Sequence, residues 1–121
     1  MTDRTVPQWT ADIEARDDTV IVHVEGEIDL SNAPLLEQCL IESIAMNKRL
    51  CVVDLAQVSF LDSSGLGVLV GHLERLRDHE PPPELRVVVK APHVVKVFEV
   101  TGLDKVFSLY ADVEAAASSR S

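Results

Sequence analysis

The sequence predicts an α/β fold in which a mixed, mostly parallel sheet is covered by α-helices. Three observations lead to this prediction. Strand and helix patterns alternate along most of the 121 residues, the first two strands are joined by the short turn Asp17-Asp18, and residues 50–55 form a near-continuous apolar run. Such a run is typical of a strand buried on both faces, as in parallel sheets. A chain of this length holds one hydrophobic core, so we expect a single domain.

Two strand patterns and a helix pattern fill the amino-terminal half of the chain. Apolar and polar residues alternate over residues 9–16 and again over 19–25, as in strands buried on one face. His23 lies on the polar side of the second pattern, and because it has no carboxylate at a fixed spacing we interpret it as an ordinary strand residue. Residues 31–34 combine cap residues with a proline suited to a first turn, so a helix is predicted from there to about Met46.

The carboxy-terminal half continues the alternation of helices and strands. A loop is expected through Gln57, followed by a helix that begins at the Asp-Ser-Ser step of residues 62–64. The prolines at 81–83 end that helix, since they lack amide donors and favour extended backbone. The remaining elements are a strand at 85–90, a helix at 92–100 closed by Thr101-Gly102, a strand at 106–109 and a helix at 111–117. We expect residues 1–8 to lead into one domain at 9–117 and residues 118–121 to fray.

The charge balance and the two cysteines restrict the environment and the partners of this protein. Acidic side chains outnumber basic ones by 20 to 11, and the formal net charge of −9 opposes binding to nucleic acid or to an anionic membrane. The sequence has neither a signal-peptide pattern nor an apolar stretch of membrane-spanning length, so we expect a cytoplasmic protein. Cys39 and Cys51 lie in apolar surroundings without metal-ligand spacing, which favours reduced thiols in the core.

Glycines and serines gather at the junction between the apolar strand and the helix that follows it. Gly67 and Gly71 are costly inside a helix, so we expect another backbone to approach that face closely. Gly65 is expected to keep the first turn free of bulk and open to a partner. On local physics alone, Ser63 or Ser64 would cap the helix by accepting hydrogen bonds from otherwise unpaired amides.

Residues 60–69, Phe-Leu-Asp-Ser-Ser-Gly-Leu-Gly-Val-Leu, closely resemble the signature of the STAS family of anti-sigma factor antagonists. The resemblance extends to Gly-Glu-Ile-Asp at 26–29, to Val-Asp-Leu at 53–55 and to the closing segment at 101–107. The chain departs from the family at 81–83, where three prolines replace a turn that is often rich in glycine. The resemblance implies a STAS-like domain over most of the chain.

This resemblance also implies a protein-binding switch without catalytic residues, cofactor or metal. In the family, an anti-sigma factor that is also a serine kinase phosphorylates the first serine after the signature aspartate, which is Ser63 here. The unmodified form binds the anti-sigma factor and thereby releases a sigma factor. Phosphorylation switches this binding off, and a serine phosphatase is expected as a further partner.

The partner-binding surface is predicted from the topology of a parallel sheet. Loops at the carboxyl ends of parallel strands gather at one edge of the sheet. The surface should therefore combine two such loops with the exposed side of the helix that follows the signature. Its predicted residues are Asp29, Ser31, Asn32, Phe60, Leu61, Asp62, Ser63, Ser64, Gly65 and Leu66.

A phosphate at Ser63 is compatible with the fold for an electrostatic reason. It adds about −1.5 to −2 charges at pH 7, which the positive end of a helix dipole tolerates. In an interface the same group is bulky, hydrated and costly to bury, so binding should respond and folding should not. Asp62 either orients the Ser63 hydroxyl during phosphate transfer or only forms the turn at the helix start.

Three other functions fit parts of the sequence. A serine hydrolase would need a glycine before the nucleophile and a partnered histidine, whereas residues 61–65 begin with leucine and His72 and His79 are interpreted as a solvated helix stripe. A phospho-aspartyl receiver would need an acidic cluster for Mg²⁺ and a lysine after a late strand. Asp54 is instead interpreted as an end-of-strand residue that supports the loop, and Lys105 precedes the last strand. A STAS module that acts as a sensor or scaffold in a signalling complex remains an alternative.

Overall fold

The structure is a computed structural model that describes residues 9–118. Its strands are β1 (Trp9–Arg16), β2 (Thr19–Ile28), β3 (Leu50–Leu61), β4 (Glu84–Val89) and β5 (Ser108–Tyr110). Its helices are α1 (Ala33–Ile44), α2 (Ser63–Arg77), α3 (Pro92–Thr101) and α4 (Val113–Ser118), with a 3-10 helix at Leu103–Lys105. The strands form one sheet in the order β1-β2-β3-β4-β5. The predicted α/β fold is confirmed.

The sheet is mixed because only its first pair of strands runs antiparallel. β1 pairs directly with β2 in a register that sets Ala15 opposite Val20, and Asp17 takes a positive φ of 46° in the turn between them. The later strands β2, β3, β4 and β5 all pair in parallel. Periodicity alone does not show whether the first two strands are neighbours, and in the structure the two-residue turn places them side by side.

The two faces of the sheet are covered very differently. The larger core cluster lies between one face and α1, α2 and α3, with Leu36, Leu69 and Phe98 among the residues fully withdrawn from solvent. The opposite face is covered by α4, through a small cluster of Ile21, Val52, Val88 and Ala116. Alternate residues of the central strands therefore serve different cores, which explains the continuous apolar run in β3.

β3 is longer than the sequence predicts. The expected loop through Gln57 is wrong, because β3 continues to Leu61 and stays paired with an equally extended β2. Register shifts between His23 and Glu25 and between Gly26 and Glu27 interrupt the regular pairing. These irregularities place Gln57 at the surface without ending the strand, so apolar periodicity alone underestimates its length.

Several element boundaries shift by one to three residues from their predicted positions. The closing turn of α3 is confirmed, since Gly102 adopts a left-handed φ of 77° immediately after the helix. The last strand begins at Ser108 and not at 106, because the 3-10 helix intervenes and Phe107 packs edge-on against Phe98 with ring centroids 5.9 Å apart. Ser118, expected to fray, ends α4 and donates from Oγ to the Glu114 carbonyl. The predicted lead at 1–8 and residues 119–121 lie outside the described part.

His23 is an ion-pair centre rather than an ordinary strand residue. Its Nδ1 lies 2.7 Å from Asp54 Oδ2 and its Nε2 lies 2.7 Å from Glu14 Oε1. Because ionised carboxylates only accept hydrogen bonds, both ring nitrogens must donate, and the imidazole is then positively charged. Partial burial opposes that charge, but the hydrogen bonds to Glu14 and Asp54 outweigh it and raise the pKa of His23. The sequence interpretation failed because the carboxylates come from neighbouring strands.

The helix histidines also differ from expectation. His72 is fully buried, and neither of its ring nitrogens has a hydrogen-bond partner within residues 9–118. Burial, followed by the charge of Arg75, lowers the pKa of His72 to about 4. The prediction of a solvated stripe is therefore wrong for His72, while His79 is half-buried against the Arg75 carbonyl. Cys39 and Cys51 are buried and reduced as predicted, and burial raises the pKa of Cys51 to about 11.

Candidate functional site

The start of α2 is capped by Asp62. This residue has extended backbone, and its Oδ1 accepts hydrogen bonds from the amides of Ser64 at 2.8 Å and Gly65 at 3.3 Å. The prediction that Ser63 or Ser64 caps the helix is wrong, since both lie inside the first turn. Of the two roles considered for Asp62, the structure shows the one at the helix start.

Because Asp62 caps the helix, the Ser63 hydroxyl is not needed as a cap. Ser63 is the first helical residue and is exposed, and its hydroxyl has no hydrogen-bond partner in the described chain. Ser64 is half-buried in the next position. The positive end of the helix dipole favours a negative group on the Ser63 oxygen, while the amides of Ser64 and Gly65 are already paired with Asp62.

Gly65 faces the protein interior. A Cβ atom built on it would lie 2.8 Å from Ile28 Cγ2 and closer still to Leu61 Cδ1. The glycine therefore allows α2 to pack closely on the ends of β2 and β3, and the prediction that it opens the turn to a partner is wrong.

Gly67 and Gly71 do not mark a close backbone approach. A Cβ atom at either position would meet no atom within 4 Å, which contradicts the predicted contact. Gly67 is exposed one turn beyond Ser63, so it leaves the helix surface beside the serine without a side chain.

The loop between β2 and α1 is held by its own polar side chains. Asp29 Oδ1 accepts hydrogen bonds from the hydroxyl and the amide of Ser31. Both bonds lower the pKa of Asp29, and the bond from the hydroxyl has the larger effect. Asn32 occupies the cap position of α1 but makes no cap hydrogen bond with its side chain. It turns back instead, donating to the Glu27 carbonyl at 2.8 Å and accepting from the Asp29 amide at 3.0 Å. The first-turn proline of this helix, Pro34, is where the sequence places it.

Three loops meet at the carboxyl edge of the sheet. The Asp62 amide donates to the Ile28 carbonyl at 3.2 Å, which joins the start of α2 to the end of β2. Phe60, at the end of β3, stacks on His93 in the first turn of α3, with ring centroids 5.5 Å apart and planes 7° apart. The structure thus brings the two predicted loops together and adds the start of α3 to them.

The predicted surface residues divide into two groups by exposure. Asp29, Ser31, Phe60, Asp62, Ser63 and Ser64 are exposed or half-buried. The structure buries the other four, which pack beneath this edge: Asn32, Leu61, Gly65 and Leu66. Sequence reasoning missed Leu30 and His93, both exposed at this edge. An apolar Leu30 within an otherwise polar loop was the available signal.

Asp54 lies away from this edge, in the middle of β3. It is buried, and besides His23 it accepts a hydrogen bond from the Ala56 amide at 3.0 Å. The interpretation of Asp54 as an end-of-strand residue is therefore wrong. Across residues 9–118 the acidic, histidine and cysteine side chains form no cluster of three suited to a metal ion. No helix in the same range is long and apolar enough to span a membrane.

Comparison with known proteins agrees with the fold and the signature. The model of the STAS domain family matches residues 10–116. The chain belongs to the STAS domain family. This STAS domain is 33% identical over 99 residues to the anti-sigma-B factor antagonist of Listeria monocytogenes, covering 81% of the chain and 85% of that relative. The Staphylococcus aureus protein of the same name is 37% identical over 82 residues, covering 68% of the chain and 74% of that protein.

A solved structure matches the STAS domain over nearly its whole length. The crystal structure of an anti-sigma factor antagonist from Mycobacterium paratuberculosis has a TM-score of 0.84 and 35% sequence identity. The match covers 94% of this chain and 96% of that chain. The family resemblance inferred from the sequence is confirmed.

Proposed function

We propose that this STAS domain is an anti-sigma factor antagonist controlled by phosphorylation of Ser63. The unmodified chain binds an anti-sigma factor that has serine kinase activity and thereby releases a sigma factor. Phosphorylation of Ser63 by that kinase switches binding off, and a serine phosphatase restores it. In this role the domain is a cytoplasmic binding module and not an enzyme. The names of its relatives in Listeria and Staphylococcus and its likeness to the mycobacterial antagonist support the proposal.

The observation that carries the proposal is that Asp62, and not Ser63, caps α2. The exposed Ser63 hydroxyl therefore forms no hydrogen bond within the described chain. A kinase can therefore modify it without removing a contact that holds the fold. The phosphate would then sit at a helix start, where its charge is tolerated.

Exposed apolar groups near Ser63 explain why a phosphate would oppose binding. Leu30, on the loop after β2, and Phe60, at the end of β3, are exposed at the same edge, and Gly67 leaves the helix surface beside Ser63 without a side chain. Apolar side chains exposed together at one edge can be buried by a protein partner. A doubly charged, hydrated group in their midst would have to be desolvated, which costs several kcal/mol when no opposite charge meets it.

The assignment of Ser63 is tested by phosphorylation with the purified anti-sigma factor and ATP, followed by mass spectrometry of the fragments. The unmodified chain and Ser64→Ala should both gain one phosphate on Ser63, since Ser64 is the matched neighbour in the same turn. Ser63→Ala should gain none and should bind the anti-sigma factor with unchanged affinity even when ATP is present. Phosphate incorporation into Ser63→Ala at the wild-type level would refute the assignment.

A further inference from the structure

Leu30 is the most exposed large apolar side chain in the described chain. Its exposed fraction is 75%, and it projects from the loop that joins β2 to α1. A single exposed leucine needs no explanation on a mobile loop or a plain helix face. Leu30 differs because the polar residues on either side of it form hydrogen bonds that hold the loop.

The loop around Leu30 is closed by hydrogen bonds on both sides of the residue. Asp29 Oδ1 accepts from the Ser31 hydroxyl at 2.6 Å and from the Ser31 amide at 2.9 Å. The Asp29 carbonyl accepts from the amides of Asn32 at 3.2 Å and Ala33 at 2.9 Å. The buried Asn32 side chain, only 2% exposed, ties the same turn to the Glu27 carbonyl. These bonds restrain the backbone at Leu30, so little backbone entropy is lost when a partner covers its side chain.

This loop also adjoins the loop that carries Ser63. The Ile28 carbonyl accepts a hydrogen bond from the Asp62 amide. The Ile28 side chain lies against the position that a Cβ atom on Gly65 would take. Leu30 is two residues beyond Ile28, and Ser63 is one residue beyond Asp62. A partner that covers Ser63 therefore lies next to Leu30.

We propose that Leu30 is the apolar anchor of the docking surface and enters a hydrophobic pocket of the anti-sigma factor. This inference rests on the proposed function and adds to it the residue that supplies affinity. Asp29, Ser31 and Asn32 act on binding mainly by positioning Leu30. A few well-packed residues supply most of the affinity of a typical interface.

Truncation of Leu30 tests the anchor, with Val100 as a matched control. Val100 is 73% exposed, so both side chains present nearly the same fraction of their surface, but Val100 lies at the far end of α3, roughly 10 Å along the helix from His93. Calorimetric titration with the purified anti-sigma factor should show binding at least tenfold weaker for Leu30→Ala, about 1.4 kcal/mol. Val100→Ala should bind within twofold of the unmodified chain. Leu30→Met, which retains the apolar volume, should recover most of the affinity.

Asn32→Ala tests whether the loop must be rigid. The substitution removes hydrogen bonds but no exposed atom, so a loss of affinity cannot come from a lost contact. We expect binding several-fold weaker and faster exchange of the Ser31 amide, measured at a temperature where the variant is folded. Unchanged affinity together with faster exchange would show that positioning does not matter and would overturn that part of the inference.

The failure of this inference can be told apart from failure of the proposed function. Ser63→Asp is measured beside the Leu30 variants. If Ser63→Asp loses binding while Leu30→Ala binds as tightly as the unmodified chain, the anchor is wrong and the switch stands. If Ser63→Asp binds normally while Leu30→Ala does not, the anchor stands and the switch is wrong. Equal losses in Leu30→Ala and Val100→Ala would also refute a localised anchor.

Discussion

Gly65→Ala should destabilise the protein, although alanine is the better helix former. A methyl group at this position would lie 2.8 Å from Ile28 Cγ2 and closer still to Leu61 Cδ1, both in the buried core. Overpacking of this kind costs about 1–3 kcal/mol. The gain from replacing a helical glycine is about 1 kcal/mol, so we expect a net loss of up to about 2 kcal/mol. Equilibrium unfolding in urea measures this difference directly.

Gly67→Ala is the matched control for this prediction. It lies two residues further along α2, and a Cβ atom there would meet nothing within 4 Å. Only the helix propensity changes, so the free energy of unfolding should rise by about 0.5–1 kcal/mol. The two alanine variants should therefore shift the urea midpoint in opposite directions. A Gly65→Ala protein that is as stable as Gly67→Ala would refute the assignment of Gly65 to the helix–sheet contact.

Three further predictions concern the cap and the two unusual histidines. Asp62→Ala should lower the free energy of unfolding by about 1 kcal/mol, whereas Asp62→Asn should keep most of the cap; equal losses in urea unfolding would contradict the capping role. The His23 ion pairs hold a raised pKa, so their contribution to stability is complete below pH 6.5 and is lost as the pH rises through the folded pKa. An NMR titration of the ring should therefore give a pKa above 6.5, and His23→Gln should remove this loss from the alkaline side of the stability profile. The pKa of His72 is about 4 in the folded chain and 6.5 in the unfolded chain, so between these pH values only the unfolded chain binds the proton. The free energy of unfolding should therefore fall by roughly 3 kcal/mol as the pH drops from 6.5 to 4. His72→Leu should be at least as stable at pH 7 and should flatten that acid limb in urea titrations; an unchanged limb would exclude His72 as its source.

Local sequence signals were sufficient for elements that depend on neighbours in the chain. The start of α2 follows from a polar step before leucines at helical spacing, and the end of α3 follows from Gly102, whose left-handed φ suits glycine. Each of these features is decided within a few residues.

Features that depend on distant partners could not be predicted in the same way. Asp54 and Glu14 bind His23 from two neighbouring strands, and no spacing along the chain encodes that meeting. The inward orientation of Gly65 depends on where Leu61 and Ile28 place their side chains. Topology predicted that the loops share one edge, but the exposure of each side chain had to come from the folded chain.

The residues of the family signature are not the same as the residues exposed at this edge. The motif at 60–69 identifies the family, yet three of its members, Leu61, Gly65 and Leu66, are buried beneath the edge. Leu30 lies outside that motif and is exposed beside it. A family signature thus reports what the fold needs at this edge as well as what the partner contacts.

The central claim is that a phosphate on Ser63 abolishes binding without disturbing the fold. Titration calorimetry of the purified anti-sigma factor against the unmodified and the Ser63-phosphorylated chain, with thermal melts of both forms, tests it most directly. We predict that phosphorylation weakens binding at least 100-fold, about 2.7 kcal/mol, while the melting temperature changes by only a few degrees. Equal affinities for the two forms, or a loss of binding that merely follows unfolding of the phosphorylated chain, would contradict the account.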